Sequence, residues 1–193
     1  MGKEFETFES FKHGLIKSKL WLCNELENII QNDVKYNVHI LAGWTNILGF
    51  MLSVRKGHQY QEIHSYDIDT SSITIANQIT DAWNYEEPKI QNHLVDINHI
   101  DYTNHEGDLI YINCSIEHLE NRDWFPNIKK GSIVCLQATD IDITDHPWYI
   151  KDYTPTIDSI IDKYPLEQIL FKDELPIVYS HFEYKRFMVI GIK

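Results

Sequence analysis

Val38-His-Ile-Leu-Ala-Gly-Trp-Thr-Asn-Ile-Leu-Gly-Phe-Met-Leu52 opens as an apolar run, breaks at Ala42-Gly43, and resumes with Ile47, Leu48, Met51 and Leu52 at helical spacing. The pattern is that of a short buried strand entering a helix through a glycine turn. Such a turn aims the unpaired N–H groups of the helix start at the strand's carboxyl end, which is a ready site for an anion or a nucleotide. About 24 positions beyond Gly43, a second apolar segment, Ile63-His-Ser-Tyr-Asp67, ends on a carboxylate. An acidic residue at that offset, on the tip of the next strand, can accept hydrogen bonds from both hydroxyls of a ribose.

Composition narrows the classes of protein this can be. The chain has 193 residues, 43% of them hydrophobic and 12% aromatic, which suits one folded domain with a substantial core. The formal net charge of −12 works against binding phosphate backbones or anionic lipid. Cys23, Cys114 and Cys135 fit no zinc spacing and read as reduced thiols of a cytoplasmic protein. The amino terminus lacks the apolar core of a signal peptide, and no run reaches the length of a membrane span.

Working outward, residues 8 to 30 carry Phe8, Phe11, Leu15, Leu22, Leu26, Ile29 and Ile30 at helical intervals, with Gly14 as a place where the helix could break. Strands are expected near 37–42, 62–67, 90–95, 109–113 and 132–137. Helices are expected over 45–56, over 70–84 with Thr70-Ser71-Ser72 as caps, and over a short piece at 116–122. The last quarter gives a helix near 155–161 and strands at 166–171 and 182–192. Without a crossover helix between them, those two strands must pair antiparallel. The expected fold is α/β: a doubly wound, mostly parallel seven-stranded sheet with an antiparallel C-terminal strand, preceded by an N-terminal helix. All 193 residues form one domain, with 1–35 as a helical cap and 36–193 as the sheet core.

From about Tyr36 to Lys193 the chain resembles the class I S-adenosylmethionine-dependent methyltransferases. Ala42-Gly43-Trp44-Thr45 stands where that family's glycine-rich loop meets the cofactor. Asp67, in Ser65-Tyr-Asp-Ile-Asp69, looks like the acidic residue that holds the ribose, and Ile68 like the apolar neighbour that packs on adenine. Asp96 and Ile97 match the positions after the third strand that approach the adenine. Asp108-Leu-Ile-Tyr-Ile-Asn-Cys-Ser-Ile-Glu-His-Leu119 is similar to the family's fourth-strand segment, and Lys129-Lys-Gly-Ser132 to the turn before strand five. The chain departs from the pattern in three places. Leu41 replaces an early acidic residue, one glycine stands where two or three are usual, and Asn113-Cys114-Ser115 replaces the Asp/Asn-Pro-Pro-Tyr signature of amino-methylating DNA enzymes.

The resemblance implies S-adenosylmethionine as cofactor, transfer of its methyl to a small-molecule acceptor, and no DNA substrate. Asn113 and Ser115, where strand four ends, are candidates to bind the cofactor's methionine portion or the acceptor. His118 is the candidate general base, since histidine titrates near neutral pH. Gln137, Asp140, Trp148 and Tyr149, after strand five, are candidate walls of an acceptor pocket. Asp140, Asp142 and Asp145 alternate in an acidic loop and are read as solvated, not as a metal site. His39, His64 and His93 lie in or beside strands without ligand spacing and read as core or edge residues. Two other readings stand beside the enzyme: a non-catalytic module of the same fold that binds a nucleoside or a partner, and an NAD-dependent oxidoreductase. The latter needs a second glycine for its pyrophosphate where this chain has Thr45.

Overall fold

The computed structural model describes residues 11–83, 88–142 and 150–193. Helix α1 (His13–Ile29) leads into strand β1 (Tyr36–Leu41), helix α2 (Ile47–Lys56), strand β2 (Tyr60–Asp67), helix α3 (Thr70–Trp83) and strand β3 (Lys89–Leu94). Strands β4 (Asp108–Asn113) and β5 (Ile133–Thr139) follow, then helix α4 (Ile157–Lys163) and the long pair β6 (Gln168–Val178) and β7 (Glu183–Ile192). The sheet has seven strands in the order β3-β2-β1-β4-β5-β7-β6. Strands β1 to β5 pair parallel, and β7 runs antiparallel to both β5 and β6. This is the expected fold class, down to the closing hairpin.

Two cores sandwich the sheet. One face packs Val38, Ile40, Ile63, Ile110, Ile112 and Cys135 against Leu22, Cys23 and Leu26 of α1 and Leu48 and Leu52 of α2. The other face packs Leu41, Tyr111, Val134, Leu136 and Val189 against Trp124, Phe125, Ile160 and Tyr164. Strands β4 and β5 are buried almost throughout, as parallel strands covered on both sides must be.

Local departures from expectation have local causes. Gly14 does not break α1; it lies in the helix's first turn, where a Cβ would meet Tyr179 Oη at 2.8 Å and Ile177 at 2.9 Å. Its backbone N–H donates to the Tyr179 hydroxyl at 2.9 Å, so the glycine lets the helix approach the β6–β7 hairpin. The cap of α3 is Asp69 and not the hydroxyls after it: its carboxylate accepts from the Ser71 and Ser72 N–H groups. The segment expected as a helix at 116–122 is one 3₁₀ turn, Ile116–His118. Strand β6 extends to Val178, well past the expected 171, through the exposed charges Lys172, Asp173 and Glu174, which suit a sheet edge. Residues 8 to 10 of the expected first helix lie outside the described residues.

The crossover from β3 to β4 contains no α-helix. Two 3₁₀ turns, Ile97–His99 and Tyr102–Asn104, make the passage. Because β1 leads outward to β2 and β3 and the chain then returns to β4, the crevice over the carboxyl ends of β1 and β4 is the topological switch point of the sheet.

Candidate active site

At the tip of β1 the backbone turns through three left-handed residues, Ala42 (φ 53°), Trp44 (φ 52°) and Asn46 (φ 54°). Such residues cost strain for any side chain with a Cβ, so the surroundings must hold them in place. Asn46 contributes most visibly: its side-chain oxygen caps α2 by accepting from Gly49 N at 3.1 Å, and its amide donates to Asn92 on β3 at 2.8 Å. Gly43, the residue on which the sequence reading turned, is not left-handed. It is needed for close approach, because a Cβ there would collide with the Ser65 side chain and sit 3.2 Å from Ile40.

Asp67 comes to this turn as expected. Its Oδ2 accepts from Trp44 N at 2.8 Å, its Oδ1 accepts from Asp69 N at 2.9 Å, and Gly43 N donates to the Tyr66 carbonyl at 3.0 Å. Burial pushes the Asp67 carboxyl above the usual range, opposed by the N–H groups of Asp69 and Trp44. Each oxygen keeps a further lone pair for a hydroxyl donor. Ile68, next in the chain, is 71% exposed, an apolar side chain standing uncovered beside the carboxylate.

The remaining expected residues are spread along the same edge. Asp96 caps the turn after β3, accepting from the backbone and side-chain nitrogens of Asn98 at 2.9 Å. Ile97 is buried with Tyr102 and Leu41 in the second core. Asn113, at the end of β4, accepts from Ser115 N at 2.9 Å, while its buried Nδ2 has no partner among the described residues. Gln137 is wholly buried under α1, donating to the Ser18 carbonyl at 3.1 Å. Asp140 is tied to Lys185, whose N–H it accepts at 2.8 Å. Trp148, Tyr149 and Asp145 lie outside the described residues.

Sequence reasoning passed over a buried ion pair at this edge. Arg186 on β7, opposite Thr139 of β5, donates to Glu117 at 3.0 Å and to the Cys114 carbonyl at 3.0 Å. Glu117 is 1% exposed and Arg186 6%. His118 follows, its Nε2 4.0 Å from Glu117 and its side chain 35% exposed. One cue was available: Arg186 is the charge that directly adjoins the apolar run Phe187-Met-Val-Ile190.

A second unforeseen feature lies on the sheet face left without a crossover helix. His39 stacks on His105 with ring centroids 3.8 Å apart and on His64 at 5.1 Å. His64 shares a hydrogen bond with His93 at 3.1 Å and another with Glu62 at 3.1 Å. The Tyr66 and Tyr111 hydroxyls meet His39 and His105 at 2.9 and 2.7 Å. His39, His64 and His93 are thus core and edge residues, as expected, but they form one array. Burial, helped by the neighbouring imidazoles, pulls His39 down to about 2, and burial lowers His93 and His105 as well.

The sign of the consequence is fixed. An unfolded histidine takes up a proton near pH 6.5, whereas folded His39 stays neutral down to about 2. The unfolded state therefore binds more protons below pH 6.5, and stability falls there by about 1.4 kcal/mol per pH unit from His39 alone. Denaturant unfolding at pH 5.0 is expected to give a free energy about 2 kcal/mol below that at pH 7.5. The loss shrinks in His39→Phe; equal values at the two pH settings would contradict the array.

No protein-family profile matches the sequence, and no curated protein is similar to it. Solved structures are similar in fold. The N-methyltransferase NodS from Bradyrhizobium japonicum WM9 aligns over 94% of this chain and 99% of its own with a TM-score of 0.63 at 11% identity. A methyltransferase dependent on S-adenosylmethionine (SAM) from Leishmania major aligns over 96% and 76% with a TM-score of 0.65 at 6% identity. Coclaurine N-methyltransferase, solved with N-methylheliamine and S-adenosylhomocysteine (SAH), aligns over 93% and 74% with a TM-score of 0.64 at 10% identity. With the strand order, the antiparallel β7 and the turn of β1 meeting the carboxylate of β2, these alignments give the chain the fold of the class I S-adenosylmethionine-dependent methyltransferases.

Proposed function

We propose that this protein is an S-adenosylmethionine-dependent methyltransferase acting on a small-molecule acceptor. The observation that carries the reading is the contact between the β1 turn and Asp67, 2.8 Å from Trp44 N to the carboxylate. It sets a carboxylate with spare lone pairs beside a backbone that a Cβ at Gly43 would obstruct, at the switch point of the sheet. Those features fit an adenosyl group: Asp67 accepts from the ribose hydroxyls, Ile68 covers one face of adenine, and Asp96 with the backbone at Ile97 borders its edge. Asn113, whose buried Nδ2 has no partner among the described residues, and Ser115 are assigned to the cofactor's aminoacyl end. Bound there, the cofactor supplies a methyl carbon already activated by its positive sulfur.

The chain's own task is then mostly placement. Holding the acceptor close and in line with the methyl supplies much of the acceleration in such a displacement. His118, partly exposed and 4.0 Å from Glu117, is the candidate to take the acceptor's proton. Gln137 ties α1 to β5 and so fixes the helix that flanks the crevice. Asp140, just after β5, is a candidate for setting acceptor specificity. Three free cysteines, two of them buried, agree with a reducing, cytoplasmic setting. Among the described residues no helix is long and apolar enough to cross a membrane.

Titration calorimetry separates this reading from its rivals. SAM and SAH are expected to release heat with one-to-one saturation and NAD to release none. Silence toward both adenosyl ligands would favour a non-catalytic module. Heat from NAD alone would favour an oxidoreductase.

A further inference from the structure

At the edge formed by β4, β5 and β7, the Glu117–Arg186 pair is incomplete. Arg186 uses its two terminal nitrogens, on Glu117 and on the Cys114 carbonyl. Glu117 uses one oxygen on Arg186, and among the described residues neither its buried Oε2 nor Arg186 Nε has a partner. Leaving charged groups dry and unpaired is costly, so both are poised to gain from a ligand. Lys19 reaches the same place from α1. It is half-buried, and Cys114, Arg186, Cys23 and Glu117 are its electrostatic neighbours. The neighbouring Ser18 carbonyl is held by Gln137, which fixes that turn of the helix against β5. Arg186 is hydrogen-bonded to the one carboxylate, and Lys19 is a second cation in its neighbourhood. Burial pulls the Lys19 amine below the usual lysine range, with Arg186 adding to that pull and Cys114, Cys23 and Glu117 opposing it.

We propose that Lys19, Arg186 and Glu117 form the acceptor-binding corner and that the methyl acceptor is a small carboxylic acid with its reacting N–H or O–H close to the carboxylate. This rests on the methyltransferase reading above. One carboxylate set between Lys19 and Arg186 Nε brings the charges of the corner to balance and satisfies the guanidinium. An adjacent N–H or O–H gives Glu117 Oε2 its missing donor. The Arg186 guanidinium lies against the end of β4, 3.0 Å from the Cys114 carbonyl, so the corner borders the residues given to the cofactor's aminoacyl end. An acid that binds the SAH-saturated protein is therefore a second carboxylate beside that of the cofactor.

The test titrates the full-length protein, saturated with SAH, with acetate, benzoate and glycine, each beside its carboxamide. At least one acid is expected to bind about tenfold or more tightly than its amide. Lys19→Met should remove that preference, Lys19→Arg should keep it, and all three proteins should bind SAH alike. Acids that bind no better than amides, or a Lys19→Met protein that still prefers the acid, would overturn the proposal. A loss of SAH affinity in Lys19→Met would also overturn it, by placing Lys19 at the cofactor. No heat from SAH with the unaltered protein would instead refute the methyltransferase reading on which the corner depends.

Discussion

Glu117→Ala is expected to lower the unfolding free energy by about 3–5 kcal/mol, the largest stability loss foreseen for any single change at the site. Glu117 is 1% exposed and its partner Arg186 is 6% exposed on a strand in the middle of the sheet's antiparallel half. Removing the carboxylate leaves a buried guanidinium with the Cys114 carbonyl as its remaining partner and with Lys19 as a like charge nearby. Arginine does not escape by losing its proton, so the cost falls on the fold. Glu117→Gln keeps an oxygen for Arg186 and loses the charge, and its loss should fall between alanine and the native residue. Denaturant melts of the two variants at pH 7.5 check this. A loss below about 1 kcal/mol in Glu117→Ala would mean that the pair is solvated and not buried as described.

Much of the fold could be read from the chain because the signals that set it are local. Apolar runs near 37–42, 109–113 and 132–137 lie within two residues of β1, β4 and β5, since a strand covered on both faces shows as an unbroken run. The closing hairpin followed from the lack of a helical pattern between its strands. What stayed hidden depends on register or on distance. His39 and His64 look unrelated in the chain, but the pairing of β1 with β2 sets them side by side, and His93 joins next to His64 from β3. Only a known register turns separate histidines into a stack.

The candidate site divides in the same way. Asp67 and Gly43 were legible because strand, turn and offset form one local pattern. The conformation of that turn was not: its left-handed residues are alanine, tryptophan and asparagine, none of which announces positive φ as glycine does. Glu117 and Arg186 are 69 positions apart, and no periodicity joins them. Glu117 belonged to a quoted motif in which His118 drew the chemical attention, though Glu117 is the more buried of the two. Trp148 and Tyr149 lie outside the described residues.

Asp67→Ala carries the largest expected effect on binding. The carboxylate offers charged acceptors to two hydroxyls, and hydrogen bonds to a charged group contribute about 1.5–3 kcal/mol each. Losing both weakens cofactor affinity by about 100-fold or more. The same change removes the acceptor for Trp44 N and Asp69 N, so the β1 turn loosens as well. That structural part is modest, because Asn46 still caps α2 and Gly43 N still bonds the Tyr66 carbonyl. Melting temperatures of the two proteins should therefore stay within a few degrees, which separates lost binding from lost folding.

The decisive measurement is calorimetric titration of SAH into the unaltered protein and into Asp67→Ala, with both shown to be folded by their melting curves. Saturable binding to the first, and binding at least about 100-fold weaker to the second, is the predicted outcome. Equal affinity in the two proteins would contradict the account, because the adenosyl group would then sit somewhere other than the junction of β1 and β2.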